Sequence, residues 1–244
     1  MARRRVAILS LIAALCIVAL APVPAAGANG RLYRVTIVNR THGQPLSPPV
    51  VAIHRKGFSL FEVGSAASFG LKEIAENGNN GPMLQALAST PAVFKAKQGG
   101  DEPLVPEGTP GSATFDDRVT FKISAPRSAK FASFATMLVC TNDGFTGASR
   151  FRLPAEIGDR TVVRTAGYDA GTEINTEDFA DMVPPCQELI GVSSGEPGTG
   201  TSDPALAEGG VITHHPGIEG IADLVPSVHG WNDPAARISV TRIR

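Results

Sequence analysis

The stretch "RLYRVTIVN", Arg31 to Asn39, sets Leu32, Val35 and Ile37 against Arg34, Thr36 and Asn39. Apolar and polar side chains in alternation are the period-2 mark of a half-buried strand. "VVAIHR" (Val50–Arg55), "VTFKIS" (Val119–Ser124), "FASFATMLVC" (Phe131–Cys140), "TVVRTA" (Thr161–Ala166) and "ARISVTRI" (Ala236–Ile243) read in the same way. One convincing helix is expected in "SFGLKEIAENG" from Ser68, with Leu71, Ile74 and Ala75 on one face and Asn77-Gly78 as its stop. A second short one is expected around Met83 to Leu87, after Pro82. Strands at irregular spacing, 26 Gly and 19 Pro, and little helix give an all-β fold. It is expected to be an antiparallel β-sandwich with one or two short helices. The first and last strands alternate equally well, which places both in one sheet and gives one domain over residues 29–244. "GVSSGEPGTGTSDP" (Gly191–Pro204) is expected to be a long surface loop.

Ahead of this domain, Arg3, Arg4 and Arg5 precede an apolar run from Val6 to Leu20 and then "APVPAAGANG". A cationic start, a short apolar middle and a small-residue exit read as a signal peptide over residues 1–28, cleaved after Ala28 or, as a rival site, Ala26. The run is shorter than the roughly 20 residues a spanning helix needs. Leu15, not a small residue, stands before Cys16, which disfavours a lipoprotein signal. The expected product is exported, whether secreted, periplasmic or at the cell surface, with no membrane span after cleavage.

Without the leader, 19 basic residues stand against 23 acidic ones, a formal charge of −4. A mildly acidic chain with no basic run argues against nucleic acid and anionic lipid as partners. Of three cysteines, Cys16 leaves with the leader. Cys140 and Cys186 form an even pair in an oxidising compartment, so one disulfide is expected. Bridging 46 residues, it would contribute roughly 3–4 kcal/mol. Two thiols on a metal is the alternative, but no CxxC spacing exists.

Two acidic turns follow two of the strands. "MLVC" runs into Asn142-Asp143-Gly144, and "TVVRTA" runs into "YDAGTE", Tyr168 to Glu173. Between them, "GASRFRLPAEIGDR" has room for one more strand and a turn. A strand out and a strand back would return Asp169 to the end where Asp143 lies, so the spacing permits their carboxylates to meet. Two carboxylates at close range in an exported protein suit calcium, which takes oxygen ligands in flexible geometry. Asn142, Thr172 and Glu173 could add oxygens. Asp-Gly and Asp-Ala-Gly are also ordinary turn formers, and spacing leaves both readings open.

The ordered set "MLVCTNDGFTG", "YDAGTE" and terminal "ARISVTRI" resembles the spondin domain, in its bacterial exported form. "VAIHRKGFSLFEVGSAASFGLKEIAENG" (Val51–Gly78) and "HHPGIEGIADL…HGW" (His214–Trp231) are similar to further stretches of that family, so the likeness runs from about Leu32 to Ile243. The resemblance implies a β-sandwich related in architecture to C2 domains and, from animal members, a calcium ion at one loop end. It puts Asp143 on the Asp of a Pro-Asp-Trp-Phe pattern, with Gly144 in place of Trp. It puts Asp169 on the first Asp of Tyr-Asp-Ala-Gly-Thr-Asp, and Glu173 on the last. A further acid from an upstream strand completes the site in animal members; Asp116 and Asp117 are candidates.

Other signals point to structure. Adjacent His214 and His215 on extended chain point opposite ways, so with His229 they make a poor transition-metal set. His54 is expected to be a satisfied buried or edge residue, and Trp231, the only Trp, to cover one end of the core. There is no GxSxG elbow, and aromatic residues are only 6% of the chain, few for a carbohydrate cleft. The sequence therefore reads as a non-enzymatic, exported, monomeric module for binding or adhesion. Its expected features are calcium at Asp143, Asp169, Glu173 and Asn142, and an extracellular protein or glycan as partner. A hydrolase using Asp143 and Asp169 as an acid pair, and an ion-free structural envelope protein, are the alternatives.

Overall fold

A computed structural model describes residues 30–244. The expected signal peptide, residues 1–28, lies outside the described residues. The elements run β1 (Arg31–Asn39), β2 (Val50–His54), α1 (Phe69–Asn77), α2 (Gly81–Ala88), β3 (Val93–Gln98), β4 (Arg118–Ala125) and β5 (Phe131–Met137). Then follow β6 (Gly144–Arg152), β7 (Arg160–Thr165), β8 (Gly167–Asp169), α3 (Pro185–Ile190), β9 (Thr213–His214), α4 (Pro226–His229) and β10 (Ala236–Arg242).

The strands build two antiparallel sheets, β4-β1-β10-β7 and β3-β2-β5-β6-β8-β9. β1 and β10 pair along their length, with Val35 opposite Val240 and Ile37 opposite Ile238. Tyr33, Val35, Ile37, Ile123, Ile238 and Val240 of the first sheet pack against Val51, Ile53 and Phe134 of the second. Each such aliphatic or aromatic side chain removed from water stabilises the sandwich by about 1.5–3 kcal/mol. The fold is the all-β sandwich expected.

Within β1 the face assignment differs from expectation at two positions. Leu32 stands on the face opposite Tyr33, Val35 and Ile37 and is only half-buried, because side chains alternate strictly along a strand. Asn39 is on the buried side, and its Nδ2 donates to the carbonyls of Gln44 and Leu104 at 2.7 and 2.8 Å, which satisfies the amide inside the protein.

The second sheet is covered on both faces, so β2 is buried at every position rather than at alternate ones. Its far face carries Val50, Ala52, Ala135 and Phe145, packed against Leu71, Ile74 and Ala75 of α1 and Met83 and Leu87 of α2. α1 begins at Ser68, whose hydroxyl accepts from the Leu71 amide at 3.3 Å, and ends at left-handed Gly78, as expected. Two further helices were not legible: α3 and α4 have 6 and 4 residues, too few to display a helical period. α3 carries Cys186, which is disulfide-bonded to Cys140. Around that bridge Met137, Val139, Phe179, Met182 and Ile190 form a third apolar cluster.

Candidate metal site

The strand expected to run to Cys140 leaves the sheet at Met137. Beyond it the backbone pairs with an upstream loop: Val139 N donates to Pro45 O, and Cys140 N donates to Gln44 Oε1, both at 2.9 Å. Thr141 then closes the turn into β6. Its hydroxyl donates to Leu138 O at 2.6 Å and accepts from Gly144 N at 2.9 Å. A side chain at Gly144 would put Cβ 2.4 Å from Thr141 Oγ1, so this turn excludes the Trp of the related pattern. Because Thr141 holds the turn, the Asp143 carboxylate is free to act elsewhere.

Asp169 reaches it by a sheet crossing. β6 runs outward, β7 belongs to the other sheet, and β8 returns to pair antiparallel with β6, Gly144 opposite Asp169. Ala170 N donates to Asp143 O at 3.2 Å. Asp143 Oδ2 accepts from Thr172 N at 2.7 Å, Thr172 Oγ1 at 3.1 Å and Glu173 N at 3.0 Å. Asp143 Oδ1 is buried and has no partner among the described residues. Asp169 does more ordinary turn work: Oδ1 accepts from Gly171 N at 2.7 Å and Oδ2 from Asn175 Nδ2 at 2.6 Å. Gly171 has φ +67° and lies against Val211, where a Cβ would come within 2.6 Å of backbone atoms.

Burial of these acids is reflected in their protonation. The Asp143 carboxyl, 0% exposed, is pushed up to about 6, first by desolvation and then by the charge of Asp169, against the pull of the Thr172 and Glu173 amides. Glu173 is pushed up to about 7, chiefly by desolvation, with the charge of Glu76 adding and the Asp203 amide and Lys72 opposing. Glu76 is buried and ion-paired to Lys72 one helical turn away.

The other expected ligands sit close by, each with a side-chain oxygen engaged. Asn142 Oδ1 accepts from Thr176 N at 3.1 Å and Glu177 N at 3.4 Å, while its Nδ2 donates to Thr176 Oγ1 at 3.0 Å. Glu173 Oε1 accepts from Asp203 N at 3.0 Å, which pins the end of the Gly191–Pro204 loop. Asp116 and Asp117 lead into edge strand β4; Asp117 pairs with Arg118 at 2.6 Å, and neither joins the hydrogen bonds around Asp143. Among the described residues no three His, Cys, Asp or Glu side chains converge as a metal centre by themselves. An ion here would draw its remaining oxygens from hydroxyls, carbonyls and water, as calcium does.

Glu177 is the residue that sequence reading missed. It is buried with φ +58°, and its carboxylate accepts from the amides of Glu219, Gly220 and Ile221 at 2.6, 2.7 and 2.9 Å. It thereby clamps the "HHPGIEG" segment to the same loop end. No local pattern marks it, because its three donors lie more than 40 residues away. His215 packs edge-on to Trp231 at 5.0 Å, and Trp231 is half-buried against the main core. His54 is buried as expected, its ring nitrogens bonded to Arg55 O at 2.7 Å and Ser133 Oγ at 2.8 Å.

The family model Spondin_N matches residues 40–184, more than half of the chain and the whole span from Asn142 to Glu173. The chain belongs to the spondin N-terminal domain family. The match stops short of β10 and of the stretch from His214 to Trp231. Membership supports an extracellular domain, and spondin domains are not known as enzymes. The chain matches no curated protein. No helix among the described residues is long and apolar enough to cross a membrane.

Proposed function

We propose that this spondin domain is an exported binding or adhesion module whose loop end is ordered by one calcium ion. The supporting observation is the Asp143 carboxylate. It is wholly buried beside Asp169, one oxygen is spent on the 172–173 backbone, and the other has no partner among the described residues. Leaving a buried carboxylate oxygen unpaired next to a second acid is costly, and a hard divalent cation offsets both costs. Asp143 and Asp169 would hold the ion, with Glu173 at its margin and Asn142 buttressing the turn beneath. The ion would neutralise the converging acids and order the loops that present a contact surface to a protein or glycan partner. The domain would act as a monomer.

One observation favours a hydrolase, the raised pKa of Asp143. Burial and the neighbouring Asp169 charge account for it, and the carboxylate is wholly buried; the cavity beside Asn142 and Glu177 measures about 10 Å³, room for a single water.

Thermal unfolding of the full chain in EDTA and then in millimolar calcium tests the proposal. Binding to the native state alone stabilises it by about 2.7 kcal/mol at a hundredfold excess over Kd. A rise in Tm that magnesium does not reproduce, and that Asp143→Asn abolishes, supports the site. No rise overturns it in favour of the ion-free protein, and a rise that survives Asp143→Asn overturns it by placing the ion elsewhere.

A further inference from the structure

The first sheet turns one face to the core and the other outward. On that outward face β4 contributes Arg118, Thr120 and Lys122, β1 Arg34, Thr36 and Val38, β10 Arg237, Ser239 and Thr241, and β7 Arg160, Val162 and Arg164. Register stacks them in three rows across the strands. Lys122, Arg34, Thr241 and Arg160 form one row and Arg118, Val38, Arg237 and Arg164 another. Between these rows lie Thr120, Thr36, Ser239 and Val162. The face therefore carries six cations and no acid, in a chain with a slight acidic excess outside its leader. Arg34, Arg118, Lys122, Arg160 and Arg164 are exposed and Arg237 is half-buried. Among the described residues only Arg118 of the six has an ion-pair partner, Asp117.

We infer that this face binds an acidic polysaccharide, a linear chain bearing sulfate or carboxylate groups. The two cationic rows stand four residues apart along the strands, about 13–14 Å, and the four strands span about 14 Å. That is a two-row positive strip with the Thr36 and Thr120 hydroxyls between the rows, bonded to each other at 2.8 Å, while Ser239 and Val38 are buried beneath their neighbours. Arginine forks pair with planar anionic groups in bidentate fashion, and neutral hydroxyls match sugar hydroxyls. The surface suits the other polyanions less well. It carries no aromatic side chain on which a base could stack. Its one exposed apolar side chain is Val162, too little to insert into a bilayer. Family membership also places the domain outside the cell.

The experiment is binding of the full chain to immobilised dextran sulfate and to polygalacturonate at low ionic strength, with and without EDTA. The expected result is salt-sensitive binding to at least one of them that EDTA leaves unchanged; which one binds identifies the acid group. The variant Lys122→Ser, Arg160→Ser, Arg164→Ser is expected to bind about tenfold more weakly or worse, with a salt slope shallower by about two to three. The variant Lys56→Ser, Lys95→Ser, Lys130→Ser removes three exposed cations from other elements and is expected to stay within about twofold of the parent. Unfolding temperatures matching the parent's confirm that both variants are folded. Failure to bind either polysaccharide, equal loss in both variants, or tighter binding to duplex DNA or to anionic phospholipid vesicles overturns the inference.

Discussion

The acidic loop end and the basic sheet face are both concentrations of one sign of charge, and they are built in opposite ways. At the loop end, Asp143, Asp169 and Glu173 are buried; Asp143 and Glu173 accept from backbone amides of other loops and Asp169 from the Gly171 amide of its own turn. On the sheet face five of the six cations are exposed and Arg237 is half-buried, and strand pairing alone aligns them. Charge brought together in the interior is tied to stability, because desolvation acts on every member. Charge brought together on the surface is largely decoupled from stability and free to act on a partner. Mutations should therefore separate the two regions cleanly.

The strongest challenge is to the disulfide, whose 46-residue loop encloses both acidic turns. Cys140→Ser with Cys186→Ser is expected to cost about 3–4 kcal/mol, on the order of 10 °C in Tm, measured by calorimetry. A loss that small would still leave binding at the sheet face intact, since no member of the two cationic rows touches the bridge.

The next effect depends on which atom of Asp143 is removed. Asp143→Ala strands the Thr172 and Glu173 amides and is expected to cost about 1–3 kcal/mol in EDTA by denaturant titration. Asp143→Asn keeps an acceptor for them and removes the repulsion from Asp169. It is expected to be neutral or stabilising in EDTA while losing any gain from calcium. If both variants are equally destabilised in EDTA, the carboxylate acts as a charge and not as an acceptor.

The pH dependence runs in a definite direction. Asp143 and Glu173 hold their protons to about 6 and about 7, above their ordinary values of 3.8 and 4.5. Between those limits the native state binds more protons than the unfolded chain, so stability without metal falls as pH rises from about 4 to about 7. For Asp143 alone the change is on the order of 2–3 kcal/mol. Guanidinium melts across this range in EDTA measure it, and Asp143→Asn should flatten the curve. The smallest stability effects belong to the sheet face. Serine at Arg160 or Arg164 is expected to shift stability by no more than about 0.5 kcal/mol, which chemical unfolding can resolve.

Much of the sandwich was legible in the strands with one wet face. β1, β4, β7 and β10 alternate because core and water lie on opposite sides, and their bounds fall within a residue or two of expectation. β3, β8 and β9 were not read. β8 and β9 have three and two residues, and β3 is an edge strand with no fully buried position. The approach of Asp143 to Asp169 was legible as a possibility from spacing. The sheet crossing that brings it about was not, since β7 reads like any other half-buried strand.

Sequence alone determined the periodicities, the α1 caps, the cysteine pair and the two acidic turns, because each is a property of neighbours along the chain. Tertiary structure decided which carboxylate caps its own turn and which reaches across to another loop. It decided that Glu177 clamps a segment over 40 residues away. It also gathered cations spread singly along four strands onto one face, because register, which sets who stands beside whom across a sheet, depends on pairings that no local stretch contains.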